Sequence, residues 1–467
     1  MGDDGIPVDR RWGASLLNDP DPKETGQTSV AKSAEGPAGP AGSETESRKP
    51  LVWLLMGNRA GDNSQVLGLG EALGWPLVEK HFVHTPWEKL VNLPFGAHLL
   101  GVVRERSSRL EAPWPDLVIS AGRKNEPIAR YIRKKADRPV RLIHVGRPWA
   151  RLETWDLVIT TPQYRLPDEP NVLHNDTPLH RVTRERLDVA AEAWRERVAH
   201  LPRPLIAILA GGNSGPYPFD RASGERLARE ADRLAEEFGG SILATTSART
   251  LDETTDALFS GIRSPSILYR WKKDDPDNPF FAFLGLADRV IVTADSVSMM
   301  TEACATGRPV YLFDTGEGRT SMKDNPWLDG RSDVDRDSSD PLPSKHADSN
   351  RATGRSDART TGPRGFNRWH LKAHIYRATM RLGPQRLTRD IRIVQKLLID
   401  SKRAVWLGDG HPNEAPKPLE DMRRAVARVR QLFETDPVSD LGAAALPKDP
   451  DRQPASGGSG EVASGRE

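Results

Sequence analysis

The residues best suited to chemistry are polar groups that follow short apolar runs. In GNRAGDNSQ, at residues 57–65, Gly57, Asn58 and Gly61 let the backbone approach a ligand closely, and Asp62 places a carboxylate beside a helix-compatible stretch. In LAGGNSG, at 209–215, Gly212, Asn213 and Ser214 would cradle an anion with backbone N–H groups. Ser247 and Arg249 would add a hydroxyl and a positive charge, and Ser296 and Ser298 would complete the anion site at the start of a further helix. Arg123 follows another glycine turn at Gly122. Each of these residues also has an ordinary role as a turn former or helix cap. Their shared position where strands end is the argument for ligand binding, because open α/β sheets bind ligands there.

The elements that must hold these residues follow from the apolar pattern. Runs at 51–56, 77–83, 116–122, 141–146 and 156–161 read as strands, with a helix beginning near Ser64 and another at 123–133. After a charged amphipathic helix at 182–200, Pro202 and Pro204 mark a boundary. The pattern then restarts: a strand at 205–209, a helix at 225–238, a strand at 242–244, a helix at 280–286 opened by Asn278 and Pro279, and strands at 290–292 and 310–313. Between those last strands lies TADSVSMMTEACATGRP, a small-residue helix for which Asp295, Ser296 or Ser298 would serve as cap. The expected fold class is therefore α/β, with two Rossmann-like doubly wound domains at 51–200 and 201–314 facing a cleft.

Composition sets the limits of this reading. Only 37% of the 467 residues are hydrophobic and 28% are charged, so disordered tails are expected at 1–50 and 434–467 and a flexible insertion at 315–365. Helices are expected at 366–378, 387–401 and 419–433, in a segment that crosses back to the first domain. A net charge of +2, from 67 basic and 65 acidic residues, makes no case for nucleic acid. The single cysteine, Cys304, sits among small helix residues as a packing thiol and suits a reducing compartment. The expected location is cytoplasmic, with any membrane contact peripheral and at the inner membrane. The apolar stretch 90–103, followed by Arg104, Arg106 and Arg109, reads as core packing or as the surface for such contact. The acidic DDPDNP loop at 274–279 is proline-interrupted and reads as solvated, so no metal site is expected.

GNRAGDNSQ, TTPQYRLP at 160–167, LAGGNSG and the Thr301-Glu302 helix with its following Gly-x-Pro together resemble the elongated-mitochondria family, relatives of a plant mitochondrial-fission factor. The Glu302 helix also resembles the donor-nucleotide helix of GT-B glycosyltransferases. That resemblance implies a nucleotide-sugar donor as substrate, no separate cofactor, and Glu302 on the nucleotide ribose. It further implies Asp62 as general base toward an envelope lipid-linked or glycan acceptor, with capping of its own helix as the rival role. A non-catalytic scaffold of the same fold and a nucleotide-sugar epimerase are the alternatives.

Overall fold

The computed structural model describes residues 48–85, 96–215, 217–317, 320–323 and 389–434. Nearly all of the expected tails and of the insertion, the helix expected at 366–378 and residues 90–95 of the apolar stretch lie outside them.

The first unit runs β1 (Val52–Met56), α1 (Ala60–Leu73), β2 (Leu77–His81), β3 (Leu117–Ala121), α2 (Glu126–Lys135), β4 (Arg141–Val145), β5 (Leu157–Thr160) and β6 (Val172–His174). Its strands pair in parallel in the order β2-β1-β3-β4-β5-β6. β1 and β3 are buried along their whole length, as strands covered on both faces must be, which is why they read as continuous apolar runs.

The second unit comprises α3 (Arg184–Val198), β7 (Leu205–Leu209), α4 (Arg221–Phe238), β8 (Ser241–Thr245), α5 (Asp252–Gly261), β9 (Ser266–Tyr269), α6 (Phe280–Leu286), β10 (Arg289–Thr293), α7 (Val297–Ala305), β11 (Val310–Phe313), α8 (Arg392–Asp400) and β12 (Val405–Trp406). Its parallel order is β12-β11-β10-β7-β8-β9. α3 packs in this unit's core through Leu187, Ala191 and Val198. The last helix, α9 (Asp421–Glu434), instead buries Ala425 and Val429 in the core of the first unit. Its Asp421 carboxylate accepts from the Asp176 and Thr177 N–H groups and from the Thr177 hydroxyl, which fixes that return.

The α/β class with two Rossmann-like doubly wound units is thus the fold of the chain. The strand order reverses direction between β1 and β3 in the first sheet and between β7 and β10 in the second. Those two reversal points are where a doubly wound sheet opens a crevice beyond its strand ends. The glycine turns singled out above lie at both.

Candidate functional site

At the first reversal point, the turn after β1 is closed by Asn63. Gly57 N–H donates to Asn63 Oδ1 at 2.7 Å and Asn63 Nδ2 returns a bond to Gly57 O at 2.9 Å. This clamp completes the turn early, so α1 begins at Ala60, ahead of the start expected near Ser64, and Gly61 and Asp62 fall in its first turn. No side chain caps α1, so Asp62 does not play its rival role. The Asp62 carboxylate instead faces the turn after β3, where a Cβ built on Gly122 would lie 3.2 Å from Asp62 Oδ2. Gly122 has φ of 74°, which suits glycine and leaves that approach open. Burial raises the Asp62 pKa above the ordinary carboxylate value, against the opposing fields of Arg59 and Arg389. Asn58 is exposed, and Arg123 lies over the exposed Trp149 ring, 4.8 Å from its centroid.

At the second reversal point, the expected anion donors are engaged within the chain. Gly211 N–H donates to Thr293 Oγ1 at 2.7 Å, and Gly212 N–H to Asp295 Oδ2 at 3.0 Å. Arg249 Nη1 lies 3.0 Å from the same Asp295 oxygen and 3.2 Å from the Asn213 carbonyl. Ser247 Oγ donates to the Gly211 carbonyl at 2.8 Å. The loops are pressed together, since a Cβ on Gly212 would lie 2.2 Å from the Arg249 carbonyl oxygen. Asn213 Oδ1 accepts from Phe219 N–H at 2.9 Å, which holds its own loop. Asp295, 1% exposed, therefore occupies the place that an oxygen of an anionic ligand would need to reach Gly212 and Arg249.

Ser296 is the N-cap residue of α7, with no side-chain capping bond, and the carboxylate before it accepts from Gly212 N–H. The start of this helix meets the start of α1: a Cβ on Gly61 would lie 3.1 Å from Ser298 Oγ. One turn further along each helix, Ser64 Oγ donates to Glu302 Oε1 at 3.3 Å. Glu302 is 7% exposed, and burial pushes its pKa up to about 7 despite the Ser64 bond. It lies in the later part of α7, beyond the reach of a first-turn dipole effect.

The structure thus brings Gly61, Ser64, Ser298 and Glu302 to one contact between the units, with Asp62 on the same helix turned toward Gly122, and gathers Gly212, Asn213, Ser247 and Arg249 around Asp295. Ser214 is linked to the first group, because Arg389 Nη2 donates to Ser214 Oγ at 3.4 Å while its charge acts on Asp62.

Sequence reasoning did not single out Arg389, Asp295 as a ligand of Gly212, or Glu126. Glu126, at the start of α2, accepts from the Trp149 and Ala150 N–H groups at 2.8 Å each, yet burial raises its pKa to about 7. Arg389 carried no local signal, since its role depends on a chain return across more than a hundred residues. For Asp295 a signal existed, because a carboxylate two residues beyond a buried strand faces the crevice as readily as it caps a helix.

In the expected apolar patch, Leu99 and Val102 pack against the first unit's core, while Leu100 is exposed. Among the described residues no helix is long and apolar enough to cross a membrane, and no group of three or more His, Cys, Asp or Glu residues is placed to hold a metal ion.

A sequence profile of the mitochondrial fission ELM1 family matches residues 60–324, more than half of the chain. The chain belongs to that family. It is 29% identical over 240 residues to mitochondrial fission protein ELM1 of Arabidopsis thaliana, covering 46% of this chain and 55% of that protein. It therefore spans about half the length of that plant relative. An uncharacterized protein of Rickettsia prowazekii, RP120, is 20% identical over 295 residues, covering 56% of this chain and 82% of its own. Among solved structures, E. coli ADP-heptose lps heptosyltransferase II resembles the chain with a TM-score of 0.36 and 13% identity, over 56% of this chain and 84% of the other.

Proposed function

We propose that this member of the mitochondrial fission ELM1 family transfers a sugar from a nucleotide donor to an acceptor hydroxyl, the acceptor being an envelope lipid-linked or glycan molecule. The observation that supports this reading best is the meeting of Ser64 and Glu302 across α1 and α7, which sets the buried Glu302 against the helix that carries Asp62. One carboxylate comes from each doubly wound unit, and burial raises both pKa values, which makes the ionised Asp62 carboxylate a stronger base. Asp62 would accept the acceptor proton as the hydroxyl oxygen bonds to the anomeric carbon. The bond from that carbon to the diphosphate oxygen breaks, and the nucleoside diphosphate leaves with the electron pair. Arg389 and the first N–H groups of α7 would face the developing negative charge. Glu302 would accept hydroxyl hydrogen bonds from the ribose.

Binding of a donor phosphate to Gly212 and Arg249 would require Asp295 to give up both contacts. This closed arrangement favours a second reading, in which the chain is a scaffold that recruits a partner and keeps its second unit rigid for that purpose.

The test is a thermal-shift panel with UDP, GDP, CMP and ADP sugars on the full chain. A ligand at a hundred times its Kd would stabilise the fold by about 2.7 kcal/mol. Stabilisation by one nucleotide class, weakened by about 1–3 kcal/mol in Glu302→Gln, is the result expected for transfer. No stabilisation by any donor, with Asp62→Ala and Glu302→Ala both complementing a deletion strain fully, would establish the scaffold instead.

A further inference from the structure

At the carboxyl ends of β4 and β5 the first unit holds a small cavity of about 10 Å³, lined by residues that include Gly146, Thr160, Gln163 and Asn175 and, from α1, Gln65. That volume suits roughly one water-sized group. Three of its lining residues carry a side-chain oxygen that is buried without a hydrogen-bond partner: Thr160 Oγ1, Gln163 Oε1 and Asn175 Oδ1. Their residues are 1%, 3% and 1% exposed. Buried polar atoms are nearly always paired, so three orphans around one cavity mark a place that something else completes.

The chemistry of the lining narrows what that is. Asn175 Nδ2 donates to the Asp421 carbonyl at 3.4 Å, so Oδ1 is the end of this amide still without a partner. No Lys, Arg, His, Asp or Glu side chain lines the space. An anion would meet acceptor oxygens, and a cation would be buried without a countercharge. The Asp421 carboxylate behind this wall is already engaged by Asp176 and Thr177. A neutral donor remains, and a hydroxyl can donate to an amide oxygen while accepting from the Thr160 hydroxyl. The cavity also shares α1 with the candidate base, since Gln65 lies three residues beyond Asp62 and one beyond the Ser64 that bonds Glu302.

We propose that this cavity is a hydroxyl slot for a sugar or polyol, the subsite that grips the acceptor of the transfer proposed above. It rests on that reading for the ligand's role as acceptor, and on the cavity alone for its binding.

The test uses saturation-transfer NMR on the full chain with methyl glucoside, methyl galactoside and methyl mannoside, alongside Thr160→Val and Gln163→Leu. At least one glycoside should bind the wild type, and its affinity should fall roughly tenfold or more in each variant, as expected when a hydrogen-bonded hydroxyl loses its partner. Thr160→Val keeps the side-chain shape and removes an unpaired atom, so its melting temperature without ligand should hold or rise. That separates lost binding from lost fold. Nucleotide-sugar stabilisation should be the same in wild type and variants. Failure of every glycoside to bind, or equal binding by wild type and variants, would leave a trapped water in the cavity and overturn the slot. Nucleotide sugars binding without glycosides would sink this proposal and leave transfer standing. The opposite pair of results would keep the slot and remove transfer.

Discussion

The two strand-order reversal points use similar residues in opposite ways. In the second unit, Gly211, Gly212, Ser247, Arg249, Thr293 and Asp295 bond one another. In the first unit the Asp62 carboxylate faces the turn after β3, and away from that reversal point, beyond β4 and β5, Thr160, Gln163 and Asn175 keep oxygens unpaired. In the second unit Asp295 Oδ1 and Asn213 Nδ2 are also without a partner, so the second point is closed at the Gly212 and Arg249 donors, where it already contains its own anion. An open set carries a desolvation penalty that a ligand can relieve. Binding at the two places therefore differs in kind: the second unit must exchange one carboxylate for a ligand oxygen, whereas the first has only to fill what is open.

The sharpest way to break this comparison is Asp62→Asn. If the open point carries the chemistry, single-turnover transfer should fall by about 10²–10⁴-fold, as for loss of a general base. The urea midpoint should hold or rise, because burial disfavours the charged form of the wild-type carboxylate. An unchanged rate would move the chemistry elsewhere.

Next in size is Asp295→Ala, which leaves Gly212 N–H and Arg249 without their shared acceptor. Stability should fall by about 2–3 kcal/mol in urea titration, less than for a fully buried pair because Arg249 reaches solvent. Phosphate added to this variant should restore part of the loss, since the vacated position suits an oxyanion. A loss without phosphate rescue would mean that the closed loops serve structure alone.

The contact joining the units is tested by pH. The Glu302 pKa rises from 4.5 to about 7 in the fold, so its neutral form contributes stability that is fully present below about pH 4.5 and lost as pH rises through about 7. Because each tenfold change in proton affinity is worth about 1.4 kcal/mol, the loss over that window is at most about 3.5 kcal/mol. Glu302→Gln should flatten the stability profile there, leaving the smaller slope expected from Glu126. A profile identical to wild type would mean that Glu302 is not held neutral by its burial. The smallest effect is expected for Leu100→Glu, within about 0.5 kcal/mol of wild-type stability because Leu100 is exposed. Its readout is co-sedimentation with anionic vesicles. Binding lost in the variant would extend the open character of the first unit to a membrane face, and unchanged binding would confine it to the crevice.

The sequence by itself determined the architecture. Strands such as 205–209 and 310–313 were legible to the residue, because a strand buried on both faces must be apolar throughout and ends where polar turn residues begin. Less apolar or very short elements escaped notice: the helix α5 and the strands β6, β9 and β12 lack such long runs, and the pairing of those strands is set by their neighbours. The site was legible as a set of places and not as a set of partners. Gly212, Arg249 and Asp62 were found at strand ends, where the fold puts them. Only the tertiary structure decided that Asp295 turns away from its helix to hold Gly212 and Arg249, and that Ser64 meets Glu302. It alone returned Arg389 to the neighbourhood of Asp62 and left three oxygens around one cavity unpaired. A hydrogen bond depends on distances of a few tenths of an ångström between segments far apart in the chain, and local periodicity carries no information at that range.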